Sequence, residues 1–212
     1  MGNLHSVAKA LERVGARVTL VSAGDAMTEC DAMVLPGVGN FGDGIAQMRS
    51  RGFVDPVQQW IESGRPFLGI CLGMQALFER SEEASEYEGL GIFHGAIRRF
   101  PAGLKVPHMG WNQLEITPSS RLLEGVGAAP FVYFAHSYYL PAEEGNGSNS
   151  LSAAMCDYGQ PFVAAIEREN IFGVQFHPEK SGETGLQVVA NFAKVCGEGL
   201  SGITNQGGQR AG

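Results

Sequence analysis

The chain has 212 residues, enough to bury a substantial core in one ordinary domain or two small ones. Hydrophobic residues make up 44% and charged residues 17%, which suits a compact enzyme and argues against a disordered or coiled-coil chain. The formal net charge of −7 argues against general nucleic-acid binding, because no cation excess is present to displace counterions from phosphates.

In chain order, residues 1–15 carry Leu4, Val7, Ala8, Leu11 and Val14 at helical spacing, with Gly15 as a stop. Arg17 to Val21 reads as a short strand, and Asp25 to Glu29 as a polar connection or short helix. Ala32-Met33-Val34-Leu35 is a continuous apolar strand of the kind covered on both faces. A glycine-rich loop, Pro36 to Gly42, follows it, and Gly44–Ser50 and Val54–Glu62 read as helices.

Arg65 to Glu79 is the stretch around which the chain is organised. An apolar strand stops at Gly69-Ile70-Cys71-Leu72-Gly73, and an amphipathic helix is expected to follow as far as Arg80. This is the pattern of a nucleophile elbow, G-x-S-x-G, with sulfur in place of oxygen. Gly69 and Gly73 remove side chains where strand and helix meet, and a helix start under Cys71 favours its thiolate. Most free cysteines merely pack, but the flanking glycines and the strand-to-helix switch favour a nucleophile here.

From Ile97 onward the apolar segments are short and separated by Pro, Gly, Asn and Ser. Trp111–Ile116, Phe131–Tyr139, Ser152–Cys156, Phe162–Glu167 and Phe172–Phe176 read as strands. Glu143–Ser150 is a polar connector, and Thr184–Cys196 is a closing amphipathic helix. The tail 197–212, rich in Gly and polar residues, is expected to be disordered. Alternating strands and helices in the first half predict a three-layer α/β fold. Its sheet is expected to be mostly parallel, with flanking helices, extra antiparallel strands and ligands at the strands' carboxyl ends. The domain is expected to occupy 1–196.

Cys30, Cys71, Cys156 and Cys196 lie far apart, without a C-x-x-C pair, so zinc and thioredoxin-like chemistry are not indicated. No leader pattern or membrane-length apolar run occurs, and a reducing cytoplasm is the simplest compartment for a reactive thiol. A cysteine nucleophile needs a base and a group to orient that base. His177 ends an apolar strand in Phe176-His177-Pro178-Glu179-Lys180, and Pro178 lets Glu179 turn back toward the ring. A lone strand-end histidine would ordinarily be a satisfied structural one. Paired with the elbow, it completes a triad. A metal site is the weaker competitor, since no second histidine or cysteine pair completes a coordination shell. The backbone N–H of Leu72 is one oxyanion donor by elbow geometry, and the loop Pro36 to Gly39 could supply another. A generic tight turn explains that loop nearly as well.

Pro36-Gly37-Val38-Gly39-Asn40-Phe41, Gly69-Ile70-Cys71-Leu72-Gly73-Met74-Gln75 and Phe176-His177-Pro178-Glu179-Lys180-Ser181, in that order, resemble the class I (triad-type) glutamine amidotransferases. Val106 to Asn112 is similar to the stretch typical of the glutaminase subunits of imidazole glycerol phosphate synthases. The resemblance covers residues 1–196. It implies hydrolysis of glutamine by Cys71, His177 and Glu179, with Val38 and Gly39 in an oxyanion loop that stays unproductive until a partner is engaged. It further implies that Gln75 and Glu83 hold the amino-acid end of glutamine, with His136, Ser137 and Tyr138 on the other side. From the residues alone, Gln75 and Glu83 have ordinary structural readings of equal weight. The same resemblance makes His108, Trp111, Asn112, Tyr133 and Lys180 partner-facing, although Tyr133 would otherwise be sheet core and Lys180 a plain surface lysine.

The implied partner is a cyclase subunit with a (β/α)8 barrel, fed with ammonia through a channel; no cofactor or metal is required. The competing expectations are a glutaminase for another ammonia acceptor (pyridoxal phosphate or purine synthesis), a gamma-glutamyl peptidase, and a non-catalytic partner of the same fold. The family usually opens with an apolar strand before the first helix. This chain starts at the helix, so that first strand is expected to be absent and the parallel sheet weakened.

Overall fold

The computed structural model describes residues 2–23, 30–117, 119–146 and 151–204. It opens on helix α1 (Gly2–Arg13), which buries Val7 and Ala8, and continues to strand β1 (Met33–Gly37). Helices α2 (Phe41–Ser50) and α3 (Val54–Glu62) lead into β2 (Phe67–Cys71), whose five residues are all buried. Asn40 starts α2, its side-chain oxygen accepting from the N–H groups of Gly42 at 2.8 Å and Asp43 at 3.3 Å.

The sheet order places β1 beside β2, and β2 beside β11 (Ile171–Val174), both pairings parallel. Beyond them the sheet continues through β10 (Pro161–Arg168), β8 (Tyr138–Pro141), β4 (Phe93–Arg99) and β3 (Phe78–Ser81). Strands β9 (Ser152–Asp157) and β6 (Glu115–Ile116) branch from β10. The sheet is thus mixed: β1–β2, β2–β11 and β3–β4 are parallel, while β10 pairs antiparallel with β8, β9 and β11. A separate antiparallel ribbon joins β5 (His108–Gln113) to β7 (Phe131–His136).

Strand alternation divides the core into two layers. On one face Leu68, Ile70, Phe172 and Val174 pack with Val7 of α1 and with Val188, Phe192 and Val195 of α6 (Gly182–Thr204). On the other, Phe67 and Ile171 pack with Phe41 and Ile45 of α2 and with Val57, Trp60 and Ile61 of α3. Helices on both faces of a sheet are the three-layer arrangement expected from the alternating elements.

Four expectations are corrected or bounded. Arg17 to Val21 forms no strand; among the described residues β1 ends the sheet path, and this segment does not pair with its outer edge. The helix after Cys71 is a single turn, α4 (Leu72–Gln75), and the chain turns into β3 three residues later. Every residue from Leu72 to Phe78 is buried, and Phe78 packs on Phe93 across the β3–β4 pair. This stretch has no polar face to offer solvent, as a longer surface helix would need. The last helix does not stop at Cys196 but runs to Thr204 through Gly197, Gly199 and Gly202, each of which costs only about 1 kcal/mol in a helix interior. The connector of 143–150 overlaps α5 (Ala142–Asn146); its remainder, like 25–29 and 205–212, lies outside the described residues.

Candidate active site

The site forms where β1, β2 and β11 end together. Gly37 is the register partner of Cys71, and Val174 pairs with Ile70, so the glycine-rich loop, the cysteine and the His177 segment leave adjacent strand ends. Cys71 has φ 54° and ψ −108°, a strained backbone conformation for a residue with a side chain. The flanking glycines allow it. A Cβ on Gly69 would stand 2.6 Å from the Gly73 carbonyl oxygen, and one on Gly73 would collide with the carbonyl oxygen of Leu35.

His177 lies just past β11, its backbone N–H donating to the Tyr133 carbonyl at 2.9 Å. Its imidazole hydrogen-bonds Cys71, and its Nδ1 stands 2.9 Å from Oε1 of Glu179. Both side chains of this pair are closed to solvent, at 2% and 0% exposure. Pro178 to Lys180 form one 3₁₀ turn, which folds Glu179 back onto the ring two residues upstream. Burial pulls His177 downward, but the hydrogen bonds and negative charges of Cys71 and Glu179 outweigh it and lift the imidazole from 6.5 to about 9. The geometry therefore holds an imidazolium between the Cys71 sulfur and the Glu179 carboxylate. Oε2 of Glu179 is buried without a hydrogen-bond partner, so this carboxylate acts on the ring through one oxygen and its charge.

The loop residues Val38 and Gly39 follow directly after Gly37. Val38 is 52% exposed and Gly39 has φ 105°, so the loop presents backbone near the elbow and side chains to the outside. A cavity backs the loop, lined by Leu4, Val38, Met48, Phe53 and Leu72. Leu72 opens α4 directly after Cys71. Glu83 comes to the far end of the same loop, where its Oε2 accepts from the Phe41 N–H at 2.7 Å. Gln75 is buried, and its Nε2 donates to the Tyr138 carbonyl and to Oε1 of Gln175, each at 2.9 Å. As placed, this amide nitrogen faces the protein interior. His136 is also buried, with Ser137 and Tyr138 half-buried beside it at the β7–β8 turn.

The ribbon β5–β7 carries the expected partner-facing residues. Trp111 is 55% exposed and meets Tyr133 edge-on at 6.2 Å between ring centroids, and Lys180 Nζ lies 5.7 Å from the Tyr133 ring. Asn112 is half-buried and bonds the Asp157 carbonyl at 2.8 Å. His108 departs from the expectation. It is buried, stacked on Tyr158 and Phe134 with centroids 3.9 and 4.8 Å away, and its Nδ1 lies 3.2 Å from His136 Nε2. Strand alternation explains this: even-numbered His108 turns to the core face of β5, whereas Met109 and Trp111 face outward. Burial holds His108 down at about 4. It also drives His136 to about 3, outweighing the hydrogen bond to the Tyr138 carbonyl, so both rings are neutral.

Sequence reasoning missed Gln175 and Ser181. Ser181 Oγ donates to the His177 carbonyl at 2.7 Å and accepts from the Tyr133 N–H at 2.9 Å, tying the histidine segment to β7. The signal for Gln175 was present: a polar residue inside an otherwise apolar strand, two positions before the histidine.

The chain is 51% identical over 198 residues to the imidazole glycerol phosphate synthase subunit HisH of Thermosynechococcus vestitus, covering 92% of this chain and 93% of that protein. It is 47% identical over 195 residues to the HisH subunit of Aquifex aeolicus, covering 92% of both. With the HisH subunit of Desulfitobacterium hafniense the identity is 46% over 197 residues, covering 93% and 92%. A crystal structure of a glutamine amidotransferase superimposes with a TM-score of 0.72 at 20% identity over 92% of this chain and 95% of that one, a likeness of fold. The family model "Glutamine amidotransferase class-I" matches residues 1–196, and with an elbow cysteine held by a histidine–glutamate pair, this chain belongs to that family.

Proposed function

We propose that this chain hydrolyses glutamine to glutamate and ammonia and hands the ammonia to a cyclase subunit, a (β/α)8 barrel that makes imidazole glycerol phosphate and an aminoimidazole carboxamide ribotide in histidine biosynthesis. The observation that carries the reading is the Cys71–His177–Glu179 chain at the shared end of β1, β2 and β11. The Cys71 sulfur attacks the side-chain amide carbon of glutamine, forming a C–S bond and placing a negative charge on the former carbonyl oxygen. The N–H of Leu72 and the backbone of Val38–Gly39 are the donors for that charge. His177, protonated through its contacts with Cys71 and Glu179, gives its proton to the departing nitrogen, and the C–N bond breaks to release ammonia. The now neutral ring then takes a proton from water, whose oxygen attacks the thioester carbon; the C–S bond breaks, glutamate leaves and the thiolate–imidazolium pair is restored.

Glu83 and Gln75 form the side of the site assigned to the amino-acid end of glutamine, and His136, Ser137 and Tyr138 line the other side. Glu83 already joins that side to the loop through Phe41. Trp111, Tyr133 and Lys180 cluster at the surface, and with the neighbouring Asn112 they make the docking face for the cyclase. The cavity behind Val38–Gly39 gives the loop room to reorient when that face is engaged. Among the described residues no helix is long and apolar enough to cross a membrane, and a reducing cytoplasm suits the free thiols.

The test is glutamate release by the chain alone and with a HisH-partner cyclase and its nucleotide substrate. Turnover should be low alone and rise with partner and ligand. Cys71→Ala should abolish glutamine-dependent synthesis while ammonia-dependent synthesis by the complex persists. Full turnover without the partner would overturn the coupling, and an active Cys71→Ala variant would overturn the nucleophile.

A further inference from the structure

The steps above leave one buried polar side chain beside the thiol without a task. Gln175 is wholly shut off from solvent, and its Nε2 lies 3.5 Å from Cys71 Sγ. An amide in an apolar strand end is costly unless each of its groups finds a partner, and Val or Leu would pack there without that cost. The chain bends at Gln175 and Phe176 just past β11, and the side chains of Gln175 and His177 both reach the Cys71 sulfur.

The orientation of the amide follows from its neighbours. The Tyr138 carbonyl can only accept, so the group of Gln75 that meets it at 2.9 Å is the NH2. The same nitrogen meets the Gln175 amide at 2.9 Å and must donate there too, which turns Oε1 of Gln175 toward Gln75 and its NH2 toward Cys71. The Tyr138 carbonyl also accepts from His136 Nδ1 at 2.8 Å, which fixes that ring's tautomer and leaves its Nε2 to accept from His108. One backbone oxygen thus sets the direction of every bond in this buried set.

We propose that Gln175 is a further catalytic residue of this site, its amide N–H donating to the Cys71 sulfur and holding it as thiolate, with Gln75 as the positioning residue that aims the amide. The inference rests on the reading of Cys71 as the nucleophile. A donor aimed at a sulfur in a closed site is strengthened when the sulfur takes up charge, since hydrogen bonds to ionised groups are roughly twice as strong as neutral ones. His177 and Gln175 then divide the work: the imidazolium supplies the mobile proton, and the amide supplies a donor that never leaves. When His177 has given its proton to ammonia, the amide still stands beside the sulfur that must depart from the thioester.

The experiment is alkylation of Cys71 by iodoacetamide across pH, read by mass spectrometry on the full chain, with melting temperature as the check on folding. Gln175→Leu should slow alkylation at neutral pH about tenfold, with the pH profile displaced upward by about one unit. Gln175→Glu, which sets a carboxyl against the sulfur, should slow it further. Gln75→Leu should move the profile the same way by less. A packing role alone would lower the melting temperature and leave the profile in place, so a folded Gln175→Leu variant with the wild-type profile overturns the inference. Should these variants not fold, the side-chain NH2 resonances of Gln175 in the unaltered protein decide. They should shift with the same pH midpoint as alkylation, and resonances that stay put overturn it. If Cys71 alkylates no faster than Cys30 in the unaltered protein, the nucleophile reading fails as well, a result distinct from a reactive thiol indifferent to Gln175.

Discussion

Nδ1 of His177 and Oε1 of Glu179 stand 2.9 Å apart, two residues apart in sequence, in a pocket that admits no solvent to either side chain. A carboxylate so placed fixes the tautomer and orientation of the ring and stabilises its protonated form. Glu179→Gln keeps the shape and removes the charge. The expected outcome is a kcat for partner-activated glutamine hydrolysis lower by roughly 10²-fold or more, with KM little changed. Steady-state kinetics on the complex measure it; an unchanged kcat would remove Glu179 from the triad.

The protonation of His177 also sets a pH dependence. Its value is raised from 6.5 to about 9, so the folded chain holds this proton more tightly than the unfolded chain. That contribution to stability is fully present below about 6.5 and is lost as pH rises through about 9. Glutamine hydrolysis should fall over the same alkaline range, because the leaving nitrogen then lacks its proton donor. On the acid side the sign reverses. His108 and His136 are depressed to about 4 and about 3, so the unfolded chain takes up protons that the folded one refuses. Their contribution is present above 6.5 and is lost as pH falls through 4 and 3. Denaturant unfolding at a series of pH values should show both limbs, and His108→Phe should flatten the acid one.

Trp111 is more than half exposed, packed on Tyr133 by one edge only, and sits on the outward face of the β5–β7 ribbon. A large aromatic left in water at a docking face is the kind of residue that anchors an interface. Trp111→Ala should leave the melting temperature of the isolated chain nearly unchanged. It should weaken cyclase binding by about 2 kcal/mol, roughly thirtyfold in Kd. Calorimetric titration with the cyclase subunit checks this, and equal affinity would move the docking face elsewhere.

Local rules carried the sequence far around the elbow. A strand stopping at Cys71, the strained backbone of Cys71 and close approaches at Gly69 and Gly73 all follow from the steric demands of one tight turn, and those demands involve few residues. The length of the helix beyond it was not legible, because Met74 to Phe78 are all buried, Gln75 included, and Phe78 packs against Phe93 where that stretch turns into a strand. The same limit applied to His108. Its side of β5 depends on the register with β7, which pairs it with His136 and hides it, while Trp111 opposite Tyr133 stays outside.

The sequence by itself determined the local geometry at Cys71, His177 and Glu179, because the elbow and the His-Pro-Glu turn are each closed over a few consecutive residues. The tertiary structure decided the company they keep: Gly37 beside Cys71 through parallel register, Gln175 on the sulfur, and Glu83 on the loop at Phe41. Those contacts join residues 34 to 104 positions apart, or 42 in the case of Glu83 and Phe41. Pairings at such separations are set by how strands order and register in the folded sheet, which no short stretch of chain encodes on its own.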